Sequence, residues 1–75
     1  MVPVYVNGAR VEVPEGAPVL EAVRAWDAGA AAEVSAGARA LSDSRGLPLD
    51  PSAVGAAGAI VRVGRARGAA GGPER

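Results

Sequence analysis

The sequence predicts a small α+β domain: a mixed four- to five-stranded sheet with one helix packed on one face. Three observations predict it. An Asn7-Gly8 pair sits between two runs of alternating apolar residues, an apolar stripe at helical spacing follows from Val19 to Trp26, and a second alternating run ends the domain at Ala59–Arg65. A hairpin, a helix and later strands bury their apolar sides only by laying the helix across one face of the sheet.

Residues 2–13 read as two strands. Asn-Gly is the preferred pair for a two-residue type I′ turn, because both of its positions need positive φ. With Asn7-Gly8 as the loop, Val6 faces Ala9, Val4 faces Val11 and Val2 faces Val13, all on one side of the pleat. The other side receives Tyr5 opposite Arg10 and Pro3 opposite Glu12. A slip of one residue would mix the two sets, so the register is well specified.

Pro14-Glu15-Gly16 ends the second strand, and Pro18 suits the first turn of a helix. Val19, Leu20, Val23 and Trp26 share one side of that helix, while Glu21, Arg24 and Ala28 face away. Trp26 lies on the apolar stripe and reads as a core anchor. Gly29 is the expected C-terminal stop. Residues 30–38 are mostly Ala and Gly and leave two alternatives open, a weak continuation of the helix or a loop. Ala38 to Ser42 suits a short strand centred on Leu41. Asp43-Ser44-Arg45-Gly46 is a turn, and Leu47-Pro48-Leu49 is a brief edge strand where Pro is tolerated. Asp50-Pro51 suits a cap followed by a helical turn, with Val54 pointing inward. In the last strand, Val61 and Val63 share one face and Ile60 and Arg62 the other. Residues 1–67 form the expected domain. From Gly68 no large apolar side chain anchors the chain, so residues 68–75 are expected to be a flexible Gly-rich tail.

Composition bounds the chemistry. Seventy-five residues make one domain near the lower size limit for an unstapled core. The chain has no Cys and no His, so disulfides, the common metal-binding spacings and Ser/His or Cys/His nucleophile pairs are all absent. The carboxylates are scattered over turns, caps and exposed faces. The expectation is therefore a protein that is recognised and catalyses nothing, with no metal and no cofactor. A formal net charge of zero gives no electrostatic reason to expect nucleic acid. No apolar run approaches the roughly 20 residues of a membrane span. The N-terminus lacks the pattern of a signal peptide, which points to the cytoplasm. Charge is nonetheless uneven: Arg62, Arg65, Arg67 and Arg75 face only Glu74 in residues 60–75, whereas the first 59 residues carry more acids than bases. Arg62, Arg65 and Arg67 are thus candidates for contact with an acidic partner surface.

The segment Val6-Asn7-Gly8-Ala9-Arg10-Val11-Glu12-Val13-Pro14-Glu15-Gly16, followed by Val19-Leu20-Glu21-Ala22, resembles the opening of β-grasp, ubiquitin-like domains. It is similar to plant-type ferredoxin-like domains and to the sulfur carriers of thiamine and molybdopterin synthesis. The ferredoxin likeness does not extend to its cluster, which needs Cys thiolates that this chain lacks. The sulfur-carrier and ubiquitin likeness extends to the tail, where the last strand leads through a basic stretch to Gly71-Gly72. In such proteins an activating enzyme adenylates the C-terminal Gly carboxylate, reached through a narrow channel that admits only a slender chain. The resemblance therefore implies a bacterial protein modifier or sulfur carrier activated at Gly71-Gly72. It implies an activating enzyme, target proteins, and a protease that removes Pro73, Glu74 and Arg75. The alternative is a stand-alone β-grasp interaction module without covalent chemistry. A third is a degenerate ferredoxin-like accessory domain.

Overall fold

The computed structural model describes residues 1–65. They form a five-stranded mixed sheet and two helices, in the order β1 (Val2–Val6), β2 (Ala9–Val13), α1 (Val19–Trp26), α2 (Ala28–Ser35), β3 (Arg39–Ser42), β4 (Pro48–Leu49) and β5 (Ala59–Arg65). The spatial order is β2-β1-β5-β3-β4. All neighbours are antiparallel except the central pair, in which β1 and β5 run parallel.

The hairpin has the register that its turn chemistry predicts. Val2 pairs with Val13, Val4 with Val11 and Val6 with Ala9, while Tyr5 faces Arg10 and Pro3 faces Glu12. Asn7 and Gly8 have φ of 50° and 86°, the left-handed values that a type I′ turn demands. Strand β5 keeps its predicted alternation, with Val61 and Val63 buried and Ile60 and Arg62 exposed.

The core lies between the helices and one sheet face. It is built mainly of valines: Val4, Val6, Val13, Val61 and Val63 from the sheet meet Val19 and Val23 of α1 and Val34 of α2, with Leu41 and small Ala22, Ala30 and Ala31 between them. Leu20 and Trp26 are half-buried and pack against this cluster from its margin. Glu21 and Arg24 form an ion pair on the solvent side of α1 at 2.7 Å.

The single expected helix is two, the expectations for Gly29 and Val54 are corrected, and the open segment 30–38 is assigned. Gly29 does not stop the helix. Asp27 does, by adopting an extended conformation (φ −162°, ψ 109°) and starting a new helix, α2. Its Oδ1 accepts the N–H groups of Gly29 (2.9 Å) and Ala30 (3.3 Å), a side-chain cap that contributes about 1 kcal/mol. Residues 30–38, for which helix extension and loop were both open, supply most of this second helix and the turn after it. Val54 points outward, 64% exposed. The reason is the backbone. Ala53 and Pro51 turn their carbonyls toward the N-terminus of α1, where they accept the N–H groups of Val19 (2.8 Å) and Leu20 (3.1 Å). Val54 bridges Pro18 on that same side. Pro18 offers no capping side chain, so this loop satisfies donors that a helix otherwise leaves unpaired.

The predicted turns at 43–46 and 50–52 are held by their aspartates. Asp43 Oδ1 accepts the N–H groups of Arg45 and Leu47, at 2.9 and 3.0 Å, and Asp50 Oδ1 accepts the N–H and hydroxyl of Ser52. The Leu47 amide first, and the Arg45 side chain and amide with it, hold the Asp43 carboxyl below the ordinary aspartate range. The Ser52 amide and hydroxyl do the same for Asp50. A depressed carboxyl stabilises the fold above its unfolded-state pKa, and that contribution is lost as pH falls through the folded value. The thermal midpoint followed by circular dichroism should therefore be insensitive to these groups above about pH 5 and fall below about pH 4. The Asp43→Asn variant should show a shallower acid decline; an unchanged decline would remove Asp43 from this account.

Candidate functional site

The helices cover one face of the sheet and leave the other open. Alternation puts Tyr5, Arg10, Glu12, Ser42, Ile60 and Arg62 on the open face. The parallel pairing of β1 with β5 then sets Tyr5 beside Ile60, so that Arg10, Tyr5 and Ile60 form a row across three strands. Ile60 is 47% exposed, and Tyr5 is half-buried. At the hairpin end of this row lies an open concavity of about 680 Å³ lined by Tyr5, Asn7, Gly8, Ile60, Val61 and Arg62.

Asn7 shapes this concavity from the turn. Its backbone N–H donates to the Val61 carbonyl at 3.0 Å. Its side chain continues the ladder: Oδ1 accepts the Val63 N–H at 2.9 Å, and Nδ2 donates to the Val63 carbonyl at 3.4 Å. The carboxamide thus stands where a further residue of β1 would pair with β5. It binds the hairpin turn to the central strand and rigidifies the wall of the concavity.

The predicted basic residues fall on one strand but differ in surroundings. Arg62 projects beside Tyr5 and Ile60 and opposite Ser42. Arg65 ends β5 opposite Arg39 and borders a depression with Glu33, Ala38 and Arg39, where Glu33 and Arg39 form an ion pair. Both also border a shallow depression over Ala40, Ser42 and Gly64. Neither Arg62 nor Arg65 has an ion-pair partner among the described residues, in contrast to Arg10, Arg24, Arg39 and Arg45. Arg67, Gly71 and Gly72, together with Pro73, Glu74 and Arg75, lie outside the described residues.

Chemically this face offers an aliphatic surface, a phenol and a guanidinium that has no ion-pair partner among the described residues. It can seat an apolar side chain flanked by a carboxylate. Among the described residues no three acidic side chains gather into a metal-binding group, and no helix is long and apolar enough to cross a membrane. Tyr5 and Ile60 do not stand out as site residues in the sequence alone. The signal was there, because both are large apolar residues on faces that the strand alternation assigns to solvent; their adjacency depends on a pairing between residues far apart in the chain.

No protein-family model, no curated protein and no solved structure matches this chain.

Proposed function

We propose that this chain is a β-grasp protein of the ubiquitin-like and sulfur-carrier type, activated at Gly72 after removal of Pro73, Glu74 and Arg75. One observation carries the reading: the strand that leads toward Gly71-Gly72 is β5, which is hydrogen-bonded on both flanks, parallel to β1 and antiparallel to β3. The segment offered to an enzyme would thus leave from the central strand of the sheet, with Arg62 and Arg65 on that strand for an acidic enzyme surface. Hairpin, helical layer and a last strand inserted beside the first are the arrangement expected of a β-grasp.

In this reading a protease hydrolyses the Gly72–Pro73 bond. The freed Gly72 carboxylate attacks the α-phosphorus of ATP and expels pyrophosphate. Hydrosulfide then displaces AMP to give a thiocarboxylate, or an enzyme thiol displaces AMP to give a thioester, from which a target amine releases the thiol as the amide bond forms. The domain supplies recognition and no chemistry. Having no Lys, it could accept no further copies through lysine linkages. A second reading, a binding module without covalent chemistry, is favoured by the Tyr5–Ile60–Arg62 concavity.

Intact mass of the protein recovered from its own host tests the proposal. The expected species lacks Pro73-Glu74-Arg75, and with ATP and the cognate activating enzyme it forms an adduct that Gly72→Val abolishes without moving the unfolding midpoint. A full-length native species that forms no adduct would overturn it and leave the binding module standing.

A further inference from the structure

The two edges of the sheet are unlike. Strand β4 is only two residues long and contains Pro48, which blunts that edge. Strand β2 is five residues long, pairs with β1 without a bulge, and contains no proline. Among the described residues nothing pairs with its outer side.

The groups that this edge presents follow from the ladder. On β1, the Pro3 carbonyl accepts the Gly58 N–H and the Asn7 N–H reaches the Val61 carbonyl, so odd-numbered residues turn their backbone groups toward β5. Even-numbered residues of β1 therefore bond to β2, through their partners Ala9, Val11 and Val13. The N–H and C=O groups of Arg10 and Glu12 remain, directed outward.

We infer that two copies of this chain pair through β2, antiparallel about a two-fold axis at Val11, so that Arg10 of each copy lies opposite Glu12 of the other. Charge selects this register. Setting Arg10 against Arg10 brings two guanidiniums together. Setting Glu12 against Glu12 opposes two carboxylates and places Pro14, which has no N–H, against Arg10. Only the intermediate register opposes unlike charges twice, and it meets Val11 with Val11 and Ala9 with Val13 on the helix side. The outward groups of Arg10 and Glu12 then form two hydrogen-bonded pairs with those of the other copy. The interface uses one patch twice, as a two-fold dimer requires, and joins the two sheets into one. Arg10 and Glu12 already lie together on the open face, bonded at 2.7 Å within the chain, so the cross-copy pairs need only small side-chain rotations.

Sedimentation equilibrium of the full chain between about 1 μM and 1 mM tests this. A monomer–dimer equilibrium is expected. Arg10→Glu should weaken it about tenfold or more, since both cross-strand pairs become repulsive, and Glu12→Arg should do the same. Mixed in equal amounts, these two single variants should associate with each other, because each then faces its opposite charge. The double variant R10E/E12R should regain self-association. Circular dichroism melts of each variant separate loss of pairing from loss of fold, and the mixed pair provides a gain of association that misfolding cannot mimic. A chain that stays monomeric throughout the range, or a dimer indifferent to these charge reversals, would overturn the inference.

Discussion

Replacing Asn7 with alanine is expected to destabilise the protein by about 2–3 kcal/mol, a large effect for a partly exposed turn residue. Two costs combine. Alanine must adopt a φ of 50°, where its Cβ crowds the backbone. It also removes the carboxamide that accepts the Val63 N–H and donates to the Val63 carbonyl, freeing both groups on the central strand. Companion variants separate the costs. Asn7→Gly keeps the left-handed backbone and loses only the bridge. Asn7→Asp keeps an acceptor for the Val63 N–H and loses the donor. Urea unfolding should rank stability as wild type, then Asp, then Gly, then Ala. Equal midpoints for Gly and wild type would show that the bridge contributes nothing; equal midpoints for Gly and Ala would show that the turn tolerates either backbone.

The second large effect is expected at the centre of the sheet. Val61 is completely buried on β5, between the two neighbouring strands and under the helices. Val61→Ala removes two methyl groups from a core made almost wholly of valine and alanine, which has few long side chains able to move into the space. Lost transfer energy and the remaining cavity together cost about 2–3 kcal/mol. A domain of this size has a total stability of about 4–11 kcal/mol, so roughly a fifth or more of it would be lost. The urea midpoint should fall by about 2 M with an unchanged slope. Val54→Ala, at an exposed valine on the loop that caps α1, should change stability by less than about 0.5 kcal/mol. A comparable loss at the two positions would mean that burial does not govern this core.

Much of the architecture was legible because it is written in short-range patterns. Asn7-Gly8 specifies a turn, the turn specifies the register, and alternation then sorts Val4, Val11 and Val13 from Arg10 and Glu12. The stripe of Val19, Leu20 and Val23 needs only helical geometry to be read. The misread residues have weak or competing local signals. Asp27 before an Ala/Gly-rich run can be heard as a cap, but Gly29 just after it sounds like a stop. Helix α2 has almost no amphipathic contrast, because its buried residues Ala30 and Ala31 are as small as its exposed ones. Val54 is a core residue by type alone. Its loop is oriented instead by the unpaired amides of α1, a demand made by a helix more than thirty positions away.

The candidate face shows the same division. The sequence by itself determined the hairpin, its register, the first helix and which residues of β5 face the core, since each depends on neighbours a few positions apart. Only the tertiary structure decided that β5 enters between β1 and β3. Parallel strands share no connecting turn to announce their pairing; what sets them side by side is the burial of Val4, Val6, Val61 and Val63 under one pair of helices. That insertion places Ile60 against Tyr5, leaves Arg62 open beside them, and puts β2, with its alternating opposite charges, at the edge.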